Sequence, residues 1–303
     1  MRRGGLVAFP TETVYGLGAD ASNPAAVARI YAVKGRPPNH PIIVHIGGVG
    51  QLARWARDVS EAAEKLAARF WPGPLTLVLR RAKGVGDELT GGQDTIGVRV
   101  PGHPVALELL SEFGGGIAAP SANRFGRISP TTAEHVRRDL GSDVDVILDG
   151  GPCDIGIEST IVDLSRGRPV LLRPGGLDVA DIADALGVAP EAPDSAAPRA
   201  PGALEGHYAP LRPLRLIPSA RLNLGARGGA TRRGVMSFDA RPTGDTSAAW
   251  IQASSDPQRY GHDLYANLRA LDSSGCDEIL VEEPPASAEW IAIRDRLTRA
   301  RSE

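Results

Sequence analysis

The sequence predicts an α/β fold: a large, mixed, twisted sheet with helices on both faces, followed by a small C-terminal α/β unit. Three observations predict it. Short β-branched runs alternate with amphipathic stretches over the N-terminal part of the chain. Several of those runs follow one another with no helix between them, which a purely parallel sheet would not allow. From Ala189 to Pro213 the chain turns proline-rich and loses apolar periodicity, and strand and helix patterns then resume. At 303 residues the chain is also long for one core.

Residues 5–9 read as a strand ending at Pro10. Asn23-Pro24 is a helix start, with Asn as N-cap and Pro in the first turn. Val27, Ile30, Tyr31 and Val33 form its apolar face, and Gly35 stops it, which puts Lys34 and Arg36 at the mouth of the next loop. Residues 42–46 read as a β-branched strand and 60–70 as a helix ending at Trp71-Pro72-Gly73-Pro74. Further strands are expected at 75–79, 96–100 and 117–119. Thr131 or Thr132 caps a helix through about Leu140. Strands at 144–148, 160–164 and 170–172 follow, then a short helix over 178–186. Beyond the proline-rich segment, 234–238, 250–253 and 278–282 read as strands, and 264–271 and 290–299 as helices.

The hydrophobic fraction is 42% and the charged fraction 23%, ordinary for a globular protein. A net charge of −2 argues against a protein held mainly by nucleic-acid phosphates, although a local basic pocket is allowed. Cys153 and Cys276 lie far apart and neither sits in a CxxC pattern, so no zinc site or disulfide framework is indicated and a reducing compartment is expected. No apolar run approaches a membrane span, and no signal-peptide core follows Arg2 and Arg3. Lys34, Lys65 and Lys83 are the only lysines among 34 basic residues. In a chain that uses arginine by default, a lysine can mark a place that needs a compact ammonium, or be a chance survivor.

Two glycine patterns fail as dinucleotide sites. Gly16 and Gly18 follow a hydroxyl-rich turn and are expected to let the backbone approach whatever sits in it. Yet Gly16-x-Gly18-x-x-Ala21 follows its strand only after six residues and opens no helix, and Arg36 stands where an acid is needed. Gly48-x-Gly50-x-x-Ala53 is weaker still, and no lysine precedes Ser or Thr as a Walker A motif requires. Lys34 and Arg36 offer another way to hold phosphates, since they run into a loop restricted by Pro37, Pro38 and Pro41. The alternative is a solvated helix end, where cations are favoured anyway. Pro120-Ser121-Ala122-Asn123 follows a short strand, as ligand loops do. Ser121 lacks a nucleophile elbow and suits binding better than attack. Asn123 serves a ligand or the turn itself. Arg99 on its apolar strand is either paired internally or aimed at an anion. His45 alone reads as a core histidine, Ser159 can present a hydroxyl, and Arg173 is another cation at a loop mouth.

Three segments together, Leu6–Asp20 with its Pro10-Thr11-Glu12-Thr13-Val14-Tyr15-Gly16, Lys34–Pro41, and Pro120–Asn123, resemble the threonylcarbamoyl-AMP synthases of the long, two-domain type. The resemblance runs from about Leu6 to Arg299. It is strongest at 6–20, 34–46, 95–103, 117–130, 154–163 and 171–176. One departure is that family members carry a helix of ten or more residues before the first strand, whereas this chain begins almost on it. The resemblance implies a catalytic domain at 1–190, a linker and lid at 191–213, and a small Rossmann-like domain at 214–303. It implies synthesis of L-threonylcarbamoyladenylate from L-threonine, bicarbonate and ATP with Mg2+, releasing pyrophosphate, in the cytoplasm. A downstream tRNA threonylcarbamoyl transferase would use the product at adenosine 37, with at most weak tRNA contact here and no membrane. Thr13, His45, Arg99, Ala119 and Ser159 would hold threonine. Lys34, Arg36, His40, Thr95, Ser121, Asn123, Ser129 and Arg173 would hold ATP, with Tyr208 reaching in from the linker. Lys34, Arg36, Ser121 and Asn123 would be the catalytic set, with no protein metal site.

Two rivals use the same fold. A carbamoyl-transfer enzyme of hydrogenase maturation would add zinc-finger cysteines, which this chain lacks. A pure RNA-binding module would sit poorly with the slight acidity and with His45 and Ser159.

Overall fold

The helix Pro24–Lys34 shows how local signals set the frame. Asn23 accepts from the Ala25 and Ala26 N–H groups, Pro24 opens the first turn, and Gly35 closes the helix in the left-handed region at φ 64°. The next helices are capped as simply: Ser60 opens Glu61–Phe70 and Thr132 opens Ala133–Leu140. The computed structural model describes residues 1–202, 206–225 and 231–302. It divides into two units, Met1–Phe125 with Pro130–Ala203, and Gly126–Ser129 with Leu204–Glu303.

The first unit is built on a ten-stranded mixed sheet. Its order is Val170–Arg173, Thr160–Asp163, Leu75–Arg81, Thr95–Arg99, Val44–His45, Ile117–Ala118, Gly16–Asp20, Val7–Phe9 and Val146–Ile147, with Ala56–Arg57 pairing on Leu75–Arg81. Parallel pairs (Val44–His45 with Thr95–Arg99) sit beside antiparallel ones (Leu75–Arg81 with Thr95–Arg99). A large apolar cluster that includes Ile30, Leu66, Val136 and Ile182 joins the helices to the sheet. A second cluster of Ile43, Val78, Ile161, Val170, Leu172 and Ala200 lies apart from it.

Three expectations change. Gly16–Asp20 is a buried strand, not part of a ligand turn. A Cβ on Gly18 would come within 2.8 Å of both Phe9 Cε1 and Ile117 Cγ2, so its glycine serves packing. The run 42–46 pairs regularly only at Val44–His45, because Ile42 N–H goes out to Leu89 O and Ile43 O receives Ala119 N–H. A helix over Pro104–Phe113, capped by His103 Nδ1, was not expected.

The expected linker is in large part bonded to the first unit. Glu191 exchanges backbone bonds with Pro169 and Leu171. Arg166 pairs with Asp194 at 2.8 Å, and Arg168 with both Glu191 and Asp194. Arg199 N–H meets Gln93 Oε1 at 2.7 Å, Gln93 Nε2 returns to Arg199 O at 3.2 Å, and Ala200 is buried.

The second unit carries a four-stranded sheet in the order Leu214–Ile217, Glu278–Glu282, Arg233–Ser237 and Ala249–Gln252, every pair parallel. That all-parallel layout with helical crossovers is Rossmann-like. Its helix Pro257–Asp272 starts seven residues before the expected Leu264, because Asp256 and Pro257 form a cap and first turn there. Residues 126–129 bond within this unit: Ala209 N–H to Gly126 O, and Arg269 Nη2 to Ile128 O. Among the described residues no helix is long and apolar enough to cross a membrane.

Candidate active site

Where the first strand ends at Pro10, Thr11 folds the chain back on itself. Its hydroxyl accepts from the Thr13 and Val14 N–H groups and donates to Val14 O. This turn puts Thr13 Oγ1 2.8 Å from Thr11 Oγ1 and 3.0 Å from Arg99 Nη1. Arg99 is 4% exposed and is bonded through every nitrogen: Nε to Gly73 O at 3.1 Å, Nη1 to Thr13, and Nη2 to Glu12 Oε1 at 2.6 Å. Its two sequence readings, internal pair and anion ligand, are therefore compatible. A guanidinium has five N–H donors. Among the described residues three are taken, which leaves one on each terminal nitrogen.

His45 lies across from Arg99 in the parallel pair and meets the Phe9 ring edge-on at 6.0 Å. Burial, reinforced by the Arg99 charge, pushes its imidazole down to about 3, so it is neutral at physiological pH. Among the described residues its buried Nδ1 meets no partner in hydrogen-bond geometry. Ala119 commits its N–H to Ile43 O at 3.0 Å.

Ser159 and Arg173 are one constellation. Arg173 Nε and Nη2 both reach Ser159 O, Nη2 also reaches Ser159 Oγ at 3.2 Å, and Nη1 donates to Pro201 O at 2.9 Å. Ser159 Oγ lies 2.8 Å from Thr76 Oγ1. Thr76 and Pro201 also line a narrow cleft, together with Pro41, Ile43, Thr95 and Arg199. Gly97 keeps its floor open, since a Cβ there would press on Ile43 at 3.3 Å.

Lys34 and Arg36 correct one expectation. They are not at an exposed loop mouth; they are 3% and 7% exposed. Lys34 Nζ donates to Ser121 O and Asn123 O, each at 2.6 Å, and so fixes the 120–123 loop from the helix end. Burial first, and Arg36 second, hold its ammonium well below the usual lysine range. Arg36 Nη2 donates to Pro41 O at 2.7 Å. His40 meets Phe125 edge-on at 5.4 Å and is shifted down by burial, with Arg36 and Arg199 adding to it. Asn123 is buried and donates its amide to Arg124 O.

Ser129 and Tyr208 belong to the second unit. Both are buried. Tyr208 has a positive φ of 65°; its ring stacks on Tyr265 at 5.8 Å and carries the Arg296 guanidinium at 5.2 Å.

Sequence reasoning missed Glu12 and Thr76 as site partners. Glu12 sits in the quoted Thr-Glu-Thr run, and an acid between two such hydroxyls after a buried strand was its only signal. Thr76 lies mid-strand and gave none. Among the described residues no three His, Cys, Asp or Glu side chains converge as metal ligands.

Two family models cover the chain. The Sua5/YciO/YrdC model, described as telomere recombination, matches residues 1–175, and the threonylcarbamoyl-AMP synthase C-terminal domain matches 177–302. The threonylcarbamoyl-AMP synthase of Pyrococcus abyssi is 40% identical over 324 residues, covering 99% of this chain and 91% of that protein. That of Bacillus subtilis is 39% identical, with 99% and 90% covered. The crystal structure of P. abyssi Sua5 complexed with L-threonine superposes with a TM-score of 0.89 at 38% identity, covering 99% of this chain and 91% of that one.

Proposed function

This chain belongs to the threonylcarbamoyl-AMP synthase family and makes L-threonylcarbamoyl-AMP; we propose that it does so from L-threonine, bicarbonate and MgATP with the residues placed above. The observation that carries this reading is Arg99, buried, oriented through three nitrogens, and left with one N–H on each terminal nitrogen. Such a group suits the carboxylate of an amino acid. Thr13 and Ser159 add hydroxyls, and His45 stays neutral, so it adds no charge that would compete for the carboxylate.

The chemistry needs no protein nucleophile. Threonine's amine adds to the carbon of bicarbonate with loss of water and gives a carbamate. A carbamate oxygen then attacks the α-phosphorus of ATP, the bond to the β-bridging oxygen breaks, and pyrophosphate leaves. The protein supplies position and positive charge. Arg173 would serve both ends, because it holds Ser159 and donates to the carbonyl of Pro201, which lines the cleft together with Thr95. Lys34 fixes the Ser121–Asn123 loop on which phosphates would rest, and Arg36 adds its charge from the same helix end. Magnesium would come bound to the triphosphate, and the hydroxyls and cations placed above would meet the phosphate oxygens beside it. The product is a labile mixed anhydride, consumed by a tRNA threonylcarbamoyl transferase at adenosine 37. A cytoplasmic location suits two buried, unpaired thiols. Direct contact with tRNA is weak at a net charge of −2.

The test is pyrophosphate release from ATP with L-threonine and bicarbonate supplied together and separately. Release is expected only with both. Equal turnover without threonine would overturn the reading.

A further inference from the structure

Glu12 carries no assigned role, yet its carboxylate is buried at 8% exposure beside the residue on which amino-acid recognition depends. Both of its oxygens are engaged. Oε1 receives Arg99 Nη2 at 2.6 Å, and Oε2 receives the Gly102 backbone N–H at 2.9 Å. Gly102 follows Arg99 by three residues, just past the end of its strand. Glu12 therefore grips the arginine and the chain that leads away from it at once. Thr13, the next residue, holds Nη1 of the same guanidinium.

A buried carboxylate is costly, and a buried ion pair is weak evidence of stabilisation for its own sake. This pair has a geometric consequence instead. Nε is turned toward Gly73 O and Nη2 toward Glu12, so the plane of the guanidinium is set before any ligand arrives. The remaining N–H groups are then preorganised, and a ligand carboxylate does not have to order the arginine as it binds.

We propose that Glu12 is the positioning residue for amino-acid recognition: it aligns Arg99 on the carboxylate of the substrate. The proposal rests on the assignment of Arg99 to that carboxylate. Gln cannot replace it. One amide oxygen could still accept from Arg99, but the amide nitrogen would then face the Gly102 N–H, donor against donor. Asp keeps the charge and is one methylene too short to reach Arg99 and Gly102 together.

The experiment compares L-threonine with L-threoninamide, which has a neutral amide in place of the carboxylate, by pyrophosphate release in the full-length protein. The wild type is expected to prefer threonine. In Glu12→Gln the KM for threonine should rise roughly thirtyfold or more, the preference over threoninamide should collapse toward one, and the KM for ATP should stay within about twofold. A merely structural role would reduce both substrates equally and keep the preference, and that result overturns the proposal. If Glu12→Gln does not fold by circular dichroism, the same ratio is read in Glu12→Asp, where an undiminished preference likewise overturns it. Wild-type turnover without threonine would instead sink the assigned reaction, so the two failures are distinct.

Discussion

Arg173 and Ser159 are joined through both backbone and side chain: two bonds from the guanidinium to the serine carbonyl, at 3.2 and 3.0 Å, and one to its hydroxyl at 3.2 Å. The residue implied for ATP thus orients the residue implied for threonine. Arg173→Lys should expose this coupling, because a point ammonium cannot span the Ser159 carbonyl, its hydroxyl and Pro201 O together. We expect threonine affinity to fall roughly tenfold even with no nucleotide present. Calorimetry of threonine binding to the ATP-free protein checks it; an unchanged affinity would confine Arg173 to the nucleotide.

Lys34 differs from a surface phosphate ligand, because its loss should be felt by the fold. Lys34→Met removes the donor shared by Ser121 O and Asn123 O and leaves two carbonyls to find other partners. The cost is about 1–3 kcal/mol, which lowers the thermal midpoint by several degrees in a unit of this size. ATP use should fall with it. An unchanged midpoint by calorimetry would mean that the ammonium does not anchor the loop.

His45 gives a pH dependence with a definite sign. Its folded value, about 3, lies below the ordinary 6.5, so between those limits the unfolded chain binds the extra proton. Its contribution to stability is therefore intact above about pH 6.5 and is lost as the pH falls toward 3, at roughly 1.4 kcal/mol per pH unit in the middle of that window. Urea unfolding at pH 7.5, 5.5 and 4.5 should show a shallower acid loss in His45→Gln than in the wild type. Equal slopes would show that the histidine is not held neutral by the fold.

What could be read from the chain was what neighbours in sequence decide. Asn23, Pro24 and Gly35 specified a helix because capping is a matter of three or four residues. The hydroxyl turn at Thr11-Glu12-Thr13 was equally visible. Gly16 and Gly18 misled, because a glycine that yields space to Phe9 and Ile117 looks the same in sequence as one that yields it to a ligand. The burial of Lys34 was illegible, since its acceptors lie 87 and 89 residues away. Glu12 was seen but not understood: its meaning comes from Arg99 and Gly102, on the far side of the sheet's connectivity.

The proline-rich segment gives the last prediction. Its composition reads as a semi-rigid linker between the two domains. The structure gives residues 195–202 work to do in the first unit. Ala200 sits in the cluster with Ile43, Val78 and Ile161, Arg199 is clasped by Gln93, and Pro201 O receives Arg173. A chain ended at 194 loses all three, and Arg173 loses one of its acceptors beside Ser159. A chain ended at 202 keeps them. The longer fragment should therefore unfold several degrees higher and bind threonine more tightly than the shorter one. Thermal unfolding and threonine calorimetry on both fragments decide it. If the two behave alike, the contacts of residues 195–202 are incidental and the whole proline-rich segment is a connector.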